Sequence, residues 1–586
     1  MLHAAFDFPR HPLAREDGER LRGCWHAPPS RWLRAMQLDE VRGAIAAAEA
    51  AARAGAWVLG GLRYEAAAAF DAALSTHAAT APLAEFAVYD TAPEPWPELP
   101  AAHTGFLGWC DSEPDATGAI ERIRDYIRDG DCYQVNLTTR LRAAGGRLDA
   151  EQLFFALHTS QPGGFSLFLR EAGAASVSPE LFFDWRPVPG AKASWLLAAQ
   201  PMKGTAPRGR DRVDDEAAQA HLRTSEKERA ENLMIVDLLR NDLSRVAQLG
   251  TVRVPRLFEL HALPTVWQMT STVTAVSRAG LTLADAFAAL FPCGSVTGAP
   301  KVRAMQVIRE LEPSARGWYC GALGLIQPGG VATFNVPIRT VELRGDQLSC
   351  GIGSAITLDS EPAAEIAEWR AKSRFLARAE APVEALETLR LEAGIAQRAD
   401  AHLARMQRTA RHFGLRFSLG EARAHLKVIA DEHPEGSWRL RLTSDAEGRF
   451  AHTLTVFTPV PGPVLLALAP RPIETRGPGA EFLAHKTTRR ELYAFDRPAE
   501  AFDVMLWNEA GELTECSFGN LALQLGGQWL TPPLAAGLLP GVLRAELLAQ
   551  GRIKEAPLTR EDLARAEGLA FFNSLRGWLP ARQAGK

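Results

Sequence analysis

SPELFF (Ser178–Phe183), QPMKGTAPR (Gln200–Arg208) and SEKERAENLMIVDLLRND (Ser225–Asp242) decide how this chain is read. Lys203 is their centre. It lies between apolar Met202 and Gly204 and is followed by Thr205 and Pro207, an unusual setting for a solvated ammonium. As a plain surface lysine on a turn it needs no further account. As an amine in a dry, partly apolar site it loses preference for the charged form and becomes a nucleophile. Glu180 upstream and Glu231 downstream supply acid and metal-ligand candidates.

Working outward, Ser225 and Glu228 have the S-x-x-E spacing of a capping box, so a helix is expected from Ser225. Met234, Ile235, Leu238 and Leu239 form its apolar stripe, and Glu231 falls on the same face. A carboxylate there needs a partner, either one of the nearby arginines or a cation, and spacing alone leaves both open. Ala119–Gly130 has helical Ile120, Ile123 and Ile127 spacing with a glycine stop, and YQVNLTTRL (Tyr133–Leu141) alternates as a strand containing Gln134. GSVTGAPK (Gly294–Lys301) is a small-residue loop running into a helix, and backbone N–H groups at such a start suit a carboxylate or phosphate. GALGLI (Gly321–Ile326), ATFNVPIRTV (Ala332–Val341) and QLSCGIGSAIT (Gln347–Thr357) read as strands. The helix EPAAEIAEWRAKSRFL (Glu361–Leu376) sets Glu365, Glu368 and Lys372 about a turn apart, which alone describes a solvated face. TAPEPWPELP (91–100) is a Pro-rich loop.

The 586 residues allow two to four domains at roughly 150 residues each. A net charge of −4 gives no support for nucleic acid or an anionic membrane surface as partner. The seven cysteines are scattered, odd in number and without a CxxC pair, which fits a reducing cytoplasm and argues against a disulfide framework or structural zinc. No apolar run approaches the ~18 residues of a membrane span, and the first residues carry no apolar core of signal-peptide length.

Together these motifs, with FPCGSVTGAPK (Phe291–Lys301), resemble the chorismate-utilising enzymes, specifically aminodeoxychorismate synthase component I, across roughly residues 50–375. The resemblance implies large, mainly antiparallel sheets flanked by helices, with Mg²⁺ as cofactor. It makes Lys203 the nucleophile, Glu180 the general acid, and Glu231, Glu365 and Glu368 the metal ligands. Thr297 and Gly298 would meet the ring carboxylate, Tyr319 and Arg339 the enolpyruvyl carboxylate, and Gly353 would let that group approach the backbone, with Lys372 nearby. Anthranilate synthases typically have alanine at the position of Lys203, and isochorismate synthases lysine at that of Gln134, so this pair implies 4-amino-4-deoxychorismate as product. Gln268 departs from a histidine common in sister enzymes, which removes a proton-transfer role there. No GxCxG glutaminase signature surrounds any cysteine, so ammonia is expected from a separate glutamine amidotransferase subunit.

A boundary is expected near ARAEAPVEA (Ala377–Ala385), giving domains 1–378 and 384–586. Beyond it AHLARMQRTARHFGL (Ala401–Leu415), HKTTRRELY (His485–Tyr493), ELTECSFGNLAL (Glu512–Leu523) and TPPLAAGLLPGVLR (Thr531–Arg544) resemble fold-type IV pyridoxal-phosphate enzymes, which include aminodeoxychorismate lyase, branched-chain aminotransferases and D-amino-acid aminotransferase. That implies a two-lobed α/β unit with pyridoxal 5'-phosphate between the lobes. Lys486 matches the lysine that carries the cofactor, Glu515 the carboxylate at the pyridine nitrogen and Arg405 the phosphate ligand. Gly541 and Val542 would complete the phosphate site, while Leu543 replaces a threonine often found in the lyase. The two resemblances imply 4-aminobenzoate (folate precursor) synthesis in the cytoplasm. A C-terminal aminotransferase, or a non-catalytic C-terminal module on a synthase or an anthranilate synthase, are the alternatives.

Overall fold

The computed structural model describes residues 1–11, 13, 18–97, 102–111, 115–146, 148–188, 190, 194–207, 212–262, 266–476 and 478–584. Arg208 of the lysine motif and residues 98–100 of the Pro-rich loop lie outside them. The chain packs as two units, Met1–Glu380 and Ala381–Lys586.

The first unit is built on a nine-stranded and a ten-stranded sheet. Gln134–Ala144 lies beside Gln347–Ile356 in the nine-stranded sheet, paired in full register from Ala144↔Gln347 to Val135↔Ile356. In the ten-stranded sheet Met202–Pro207 pairs with Val266–Val276, and Leu181–Pro187 with Trp195–Gln200 and Ala332–Asn335. The pairings described in both sheets are antiparallel, as expected for strands that each bury at least one face. Residues of both share one core, in which Phe6, Phe8 and Leu167 meet Leu59, Ala87 and Leu323. Helices cover the outer faces. Val41–Arg53, Glu226–Ser244 and Leu283–Leu290 bury apolar stripes against the larger sheet, and Ala116–Arg128, Ala150–Ser160, Lys301–Leu311 and Pro362–Glu380 against the smaller.

Two sequence expectations are corrected. ATFNVPIRTV is not one strand: Ala332–Asn335 belongs to the larger sheet and Thr340–Arg344 to the smaller. Pro337 has no N–H for a ladder and Arg339 adopts φ 51°, so the chain turns there and crosses between sheets. The capping box is half formed. Ser225 accepts from the Glu228 N–H, but the Glu228 carboxylate does not return to Ser225; it takes the Thr205 backbone N–H and lines a cavity instead.

A buried ion pair ties the end of helix Lys301–Leu311 to the strand Gln134–Ala144 and to the loop at Val296. Arg316 donates to both Glu312 oxygens, to Val296 O and to Asn136 O, and Glu312 also accepts from the Thr138 N–H and hydroxyl. Both side chains are buried, so each charge is satisfied by the other and by backbone groups.

The second unit holds a four-stranded antiparallel sheet, Ile395–Ala396, Ala385–Glu392, Ser437–Ser444 and Phe450–Val456, packed on helices Ala399–Phe413 and Leu419–Glu432. An eight-stranded sheet follows, mixed because Val464–Leu468 runs parallel to both neighbours. All seven cysteines are free, and among the described residues no helix is long and apolar enough to cross a membrane.

Removing one partner of the Arg316–Glu312 pair strands the other charge in the core. Arg316→Met is expected to lower stability to urea by about 3–5 kcal/mol, and Arg316→Met with Glu312→Gln by less than the two single changes summed. Urea unfolding followed by tryptophan fluorescence checks this, and additive losses contradict it.

Candidate active sites

In the first unit a cavity of about 180 Å³ opens where the strand crossing, the Lys203 strand and the helices Glu226–Ser244 and Pro362–Glu380 converge. It gathers Lys203, Glu180, Glu231, Glu365, Glu368, Tyr319, Arg339, Gly353 and Lys372, residues up to 192 positions apart in sequence. Lys203 is positioned by its strand, whose backbone is tied at both sides. Asn232 Nδ2 donates to Lys203 O at 3.1 Å, while Gln268 Nε2 donates to Gly204 O and Thr205 Oγ1 donates to Gln268 Oε1, each at 3.1 Å. Gln268 is thus a clamp on the lysine strand. The Lys203 ammonium itself makes no hydrogen bond or ion pair among the described residues. Burial lowers its pKa, opposed by the charge of Glu231.

Glu180 is buried and its pKa is raised, first by burial. It accepts from Ser295 Oγ at 2.7 Å, which fixes its orientation. Burial also raises Glu231 and Glu228, and each is pushed further by a second carboxylate. Glu365 accepts from Ser354 Oγ. Burial opposes the charge of Glu368, but Lys372 Nζ at 2.7 Å prevails and lowers its pKa. Lys372 also donates to Gly353 O at 2.8 Å.

Four carboxylates, Glu228, Glu231, Glu365 and Glu368, therefore line one cavity with only oxygen donors. Among the described residues no three such groups already stand close enough to form a ligand cluster. Glu368 adds to the elevation of Glu228, and Glu228 and Glu365 to that of Glu231; added positive charge would relieve both, and the donor chemistry fits a hard cation such as Mg²⁺. Arg339, held left-handed at φ 51°, lies at the cavity edge with its pKa lowered by burial to about 10.

Gln134, Thr297 and Gly298 stand behind the lining. The Thr297 hydroxyl donates to Cys293 O at 3.0 Å, and neither amide atom of the fully buried Gln134 has a hydrogen-bond partner. A Cβ on Gly298 would sit 2.2 Å from Gln134 O, so only glycine lets loop and strand approach this closely. Asn136, Ser295 and Glu228 also line the cavity; the sequence marks none of them as a site residue, and Glu228 only as a helix cap, because strand, turn and helix alternation shows facing but not convergence.

A second cavity, about 360 Å³, lies within the second unit and gathers Lys486, Glu515, Arg405, Gly541 and Val542. Lys486 Nζ also lacks a partner among the described residues. Burial, then Arg405 and Arg490, lower its pKa to about 7. Glu515 is raised by burial to about 7 and accepts from Tyr493 OH at 2.7 Å and from the Leu539 N–H at 3.0 Å. Arg405 is fixed by Glu387, which takes its Nε and Nη2 at 2.8 and 2.7 Å, and its Nη1 donates to Pro540 O. His402 joins Glu387 at 2.6 Å and Ser574 at 2.7 Å. Burial opposes the Glu387 charge, but Arg405 and His402 lower its pKa to about 2. Gly541 precedes helix Val542–Ala549, and a Cβ there would sit 2.0 Å from Asn520 Oδ1. A free amine, a carboxylate with a protonatable neighbourhood, a fixed guanidinium and a helix start form a donor set that fits pyridoxal phosphate.

Residues 107–378 match the chorismate binding enzyme family, and residues 384–584 match amino-transferase class IV, a family that implies pyridoxal phosphate. Aminodeoxychorismate synthase component 1 of Klebsiella aerogenes is 45% identical over 42% of this chain and 54% of that protein. Anthranilate synthase component 1 of Streptomyces coelicolor is 38% identical over 49% of this chain and 55% of that protein. The chain thus spans about half the length of these curated relatives. The menaquinone-specific isochorismate synthase of Escherichia coli shares the fold at a TM-score of 0.50 and 17% identity, over 65% of this chain and 89% of that one. The match to the chorismate binding enzyme family thus falls within the first of the two units and the match to amino-transferase class IV within the second.

Proposed function

We propose that residues 1–378 aminate chorismate at C4 and that residues 384–586 convert the resulting 4-amino-4-deoxychorismate to 4-aminobenzoate and pyruvate. The observation that carries the first step is the unpartnered, pKa-lowered amine of Lys203 sharing a cavity with the pKa-raised carboxyl of Glu180. The similarity to relatives named aminodeoxychorismate synthase component 1 supports the same product.

Mg²⁺ would be held by Glu231, Glu365 and Glu368 and would supply positive charge for a substrate carboxylate. Arg339 and Tyr319 hold the enolpyruvyl carboxylate. Neutral Lys203 forms a bond to C2, the ring double bond shifts, and the C4 hydroxyl leaves as water with the proton of Glu180. Ammonia then adds at C4 and the C2–N bond to Lys203 breaks. Burial raises the pKa of Glu180, which favours its protonated, donating form, and lowers that of Lys203, which favours the neutral, nucleophilic amine. Ammonia comes from a separate glutamine amidotransferase.

Pyridoxal phosphate, held by Lys486, Arg405, Glu515 and the backbone at Gly541 and Val542, would supply an electron sink in the second unit. Glu515 would face the ring nitrogen and keep a proton there. Lys486 Nζ takes the proton from C4, the C3–O bond breaks, and the released enolpyruvate takes up a proton to become pyruvate. Aromatisation of the ring drives the step. An aminotransferase in this unit would instead need a keto-acid acceptor.

Lys203→Ala is expected to lower C4 amination by at least about 100-fold while chorismate KM changes little, since the amine acts in the reaction and not in binding. Product formation followed by mass checks this, and near wild-type turnover makes Lys203 structural. In the same assay Glu231→Gln or excess EDTA should abolish amination; full activity in EDTA contradicts the metal assignment.

Lys486→Ala should stall turnover at 4-amino-4-deoxychorismate. The unaltered chain should show a cofactor absorbance that borohydride fixes to Lys486, and pyruvate equal to 4-aminobenzoate with no keto acid added. Continued 4-aminobenzoate release by the variant, or no cofactor in the unaltered chain, contradicts the lyase assignment.

A further inference from the structure

We propose that Arg439, Arg441 and Arg576 form the receptor by which the second cavity selects a substrate bearing two carboxylates; this rests on the lyase reading of that cavity. The charges there divide into two sets. Arg405 is neutralised by Glu387, Glu515 is committed to Tyr493 and the Leu539 N–H, and Arg490 donates to Ser517 O and stacks over Tyr493 at 4.3 Å. Those groups serve a cofactor. Arg439, Arg441 and Arg576 line the same cavity with no ion pair to any described carboxylate.

Their placement is built by the sheets. Arg439 and Arg441 are two apart on the strand Ser437–Ser444 and so share a face. Arg441 pairs in register with Thr388, which lines the cavity, so this face is the cavity wall. Arg576 comes from the turn between Gly568–Asn573 and Gly577–Gln583, and its guanidinium lies 5.3 Å from the Phe502 ring centroid and 5.8 Å from that of Phe457. Arg439 is close enough to act on it: burial and then the Arg439 charge lower the Arg576 pKa. Like charges brought together without a carboxylate leave a gap that an anion fills, and planar guanidiniums bind carboxylates bidentately. An ordinary amino acid brings one carboxylate. A cyclohexadiene carrying a ring carboxylate and an enolpyruvyl carboxylate brings two, enough to engage guanidiniums from both sheets. Arg439 and Arg441 are exposed at the cavity wall and Arg576 is half-buried, so a bound dianion would cover charge that otherwise faces water, and a ligand with one carboxylate would cover less of it.

The test uses the full-length, cofactor-loaded protein with Arg439→Gln, Arg441→Gln, Arg576→Gln and the triple variant. Each charge-assisted pair lost should cost about 10–100-fold in binding. At least one single variant should raise KM for 4-amino-4-deoxychorismate by about 10-fold or more, and the triple variant by about 100-fold, with kcat changed less than about 3-fold and cofactor absorbance retained. As a readout apart from turnover, isophthalate should perturb the cofactor absorbance of the unaltered protein at about 10-fold lower concentration than benzoate, and the triple variant should lose that preference. Unchanged KM and unchanged isophthalate preference in the triple variant overturn the inference. Absence of 4-aminobenzoate from the unaltered protein would instead overturn the lyase reading on which it rests.

Discussion

Removing a lysine amine from water without giving it a fixed counter-ion disfavours its charged form, and both cavities of this chain are organised around that constraint. Lys203 and Lys486 each present an amine with no hydrogen bond or ion pair among the described residues. In each case a carboxyl in the same cavity is raised by burial, Glu180 in the first and Glu515 in the second. Acid and amine are thereby driven toward the protonation states that chemistry at carbon requires.

Neither arrangement survives without support farther back. In the first unit the Lys203 strand is clamped by Asn232 and Gln268, while Arg316 fixes the backbone at Asn136 and Val296, both of which line the cavity. In the second, Glu387 holds Arg405 and His402 together, so the guanidinium at the cavity wall has one available orientation. These contacts act over sequence separations of 15 to 180 residues, which makes the sites products of the tertiary fold and not of local motifs.

That distance marks what the sequence shows and what it does not. Helix Glu226–Ser244 was legible from Ser225 and the apolar stripe, because both depend on neighbours within two turns, whereas spacing put Glu231 on that face and left its partner open. The reach of the Glu228 carboxylate to Thr205 was not, since nothing local favours it over the cap. ATFNVPIRTV alternated well enough to read as one strand, and only Pro337 with left-handed Arg339 marked the crossing between sheets. Lys203, Glu180, Lys486 and Glu515 were found through family resemblance, and the structure places each in a cavity. Glu387, His402 and Arg316 were missed because a buried ion pair carries no periodicity: it is visible only once both partners are brought together.

If one polypeptide carries chorismate to 4-aminobenzoate, given a metal ion and a nitrogen source, then incubating the purified chain with chorismate, Mg²⁺ and an ammonium salt, with products identified by mass, should yield 4-aminobenzoate and pyruvate in equal amounts. Anthranilate, isochorismate or unreacted chorismate as the end point would contradict it.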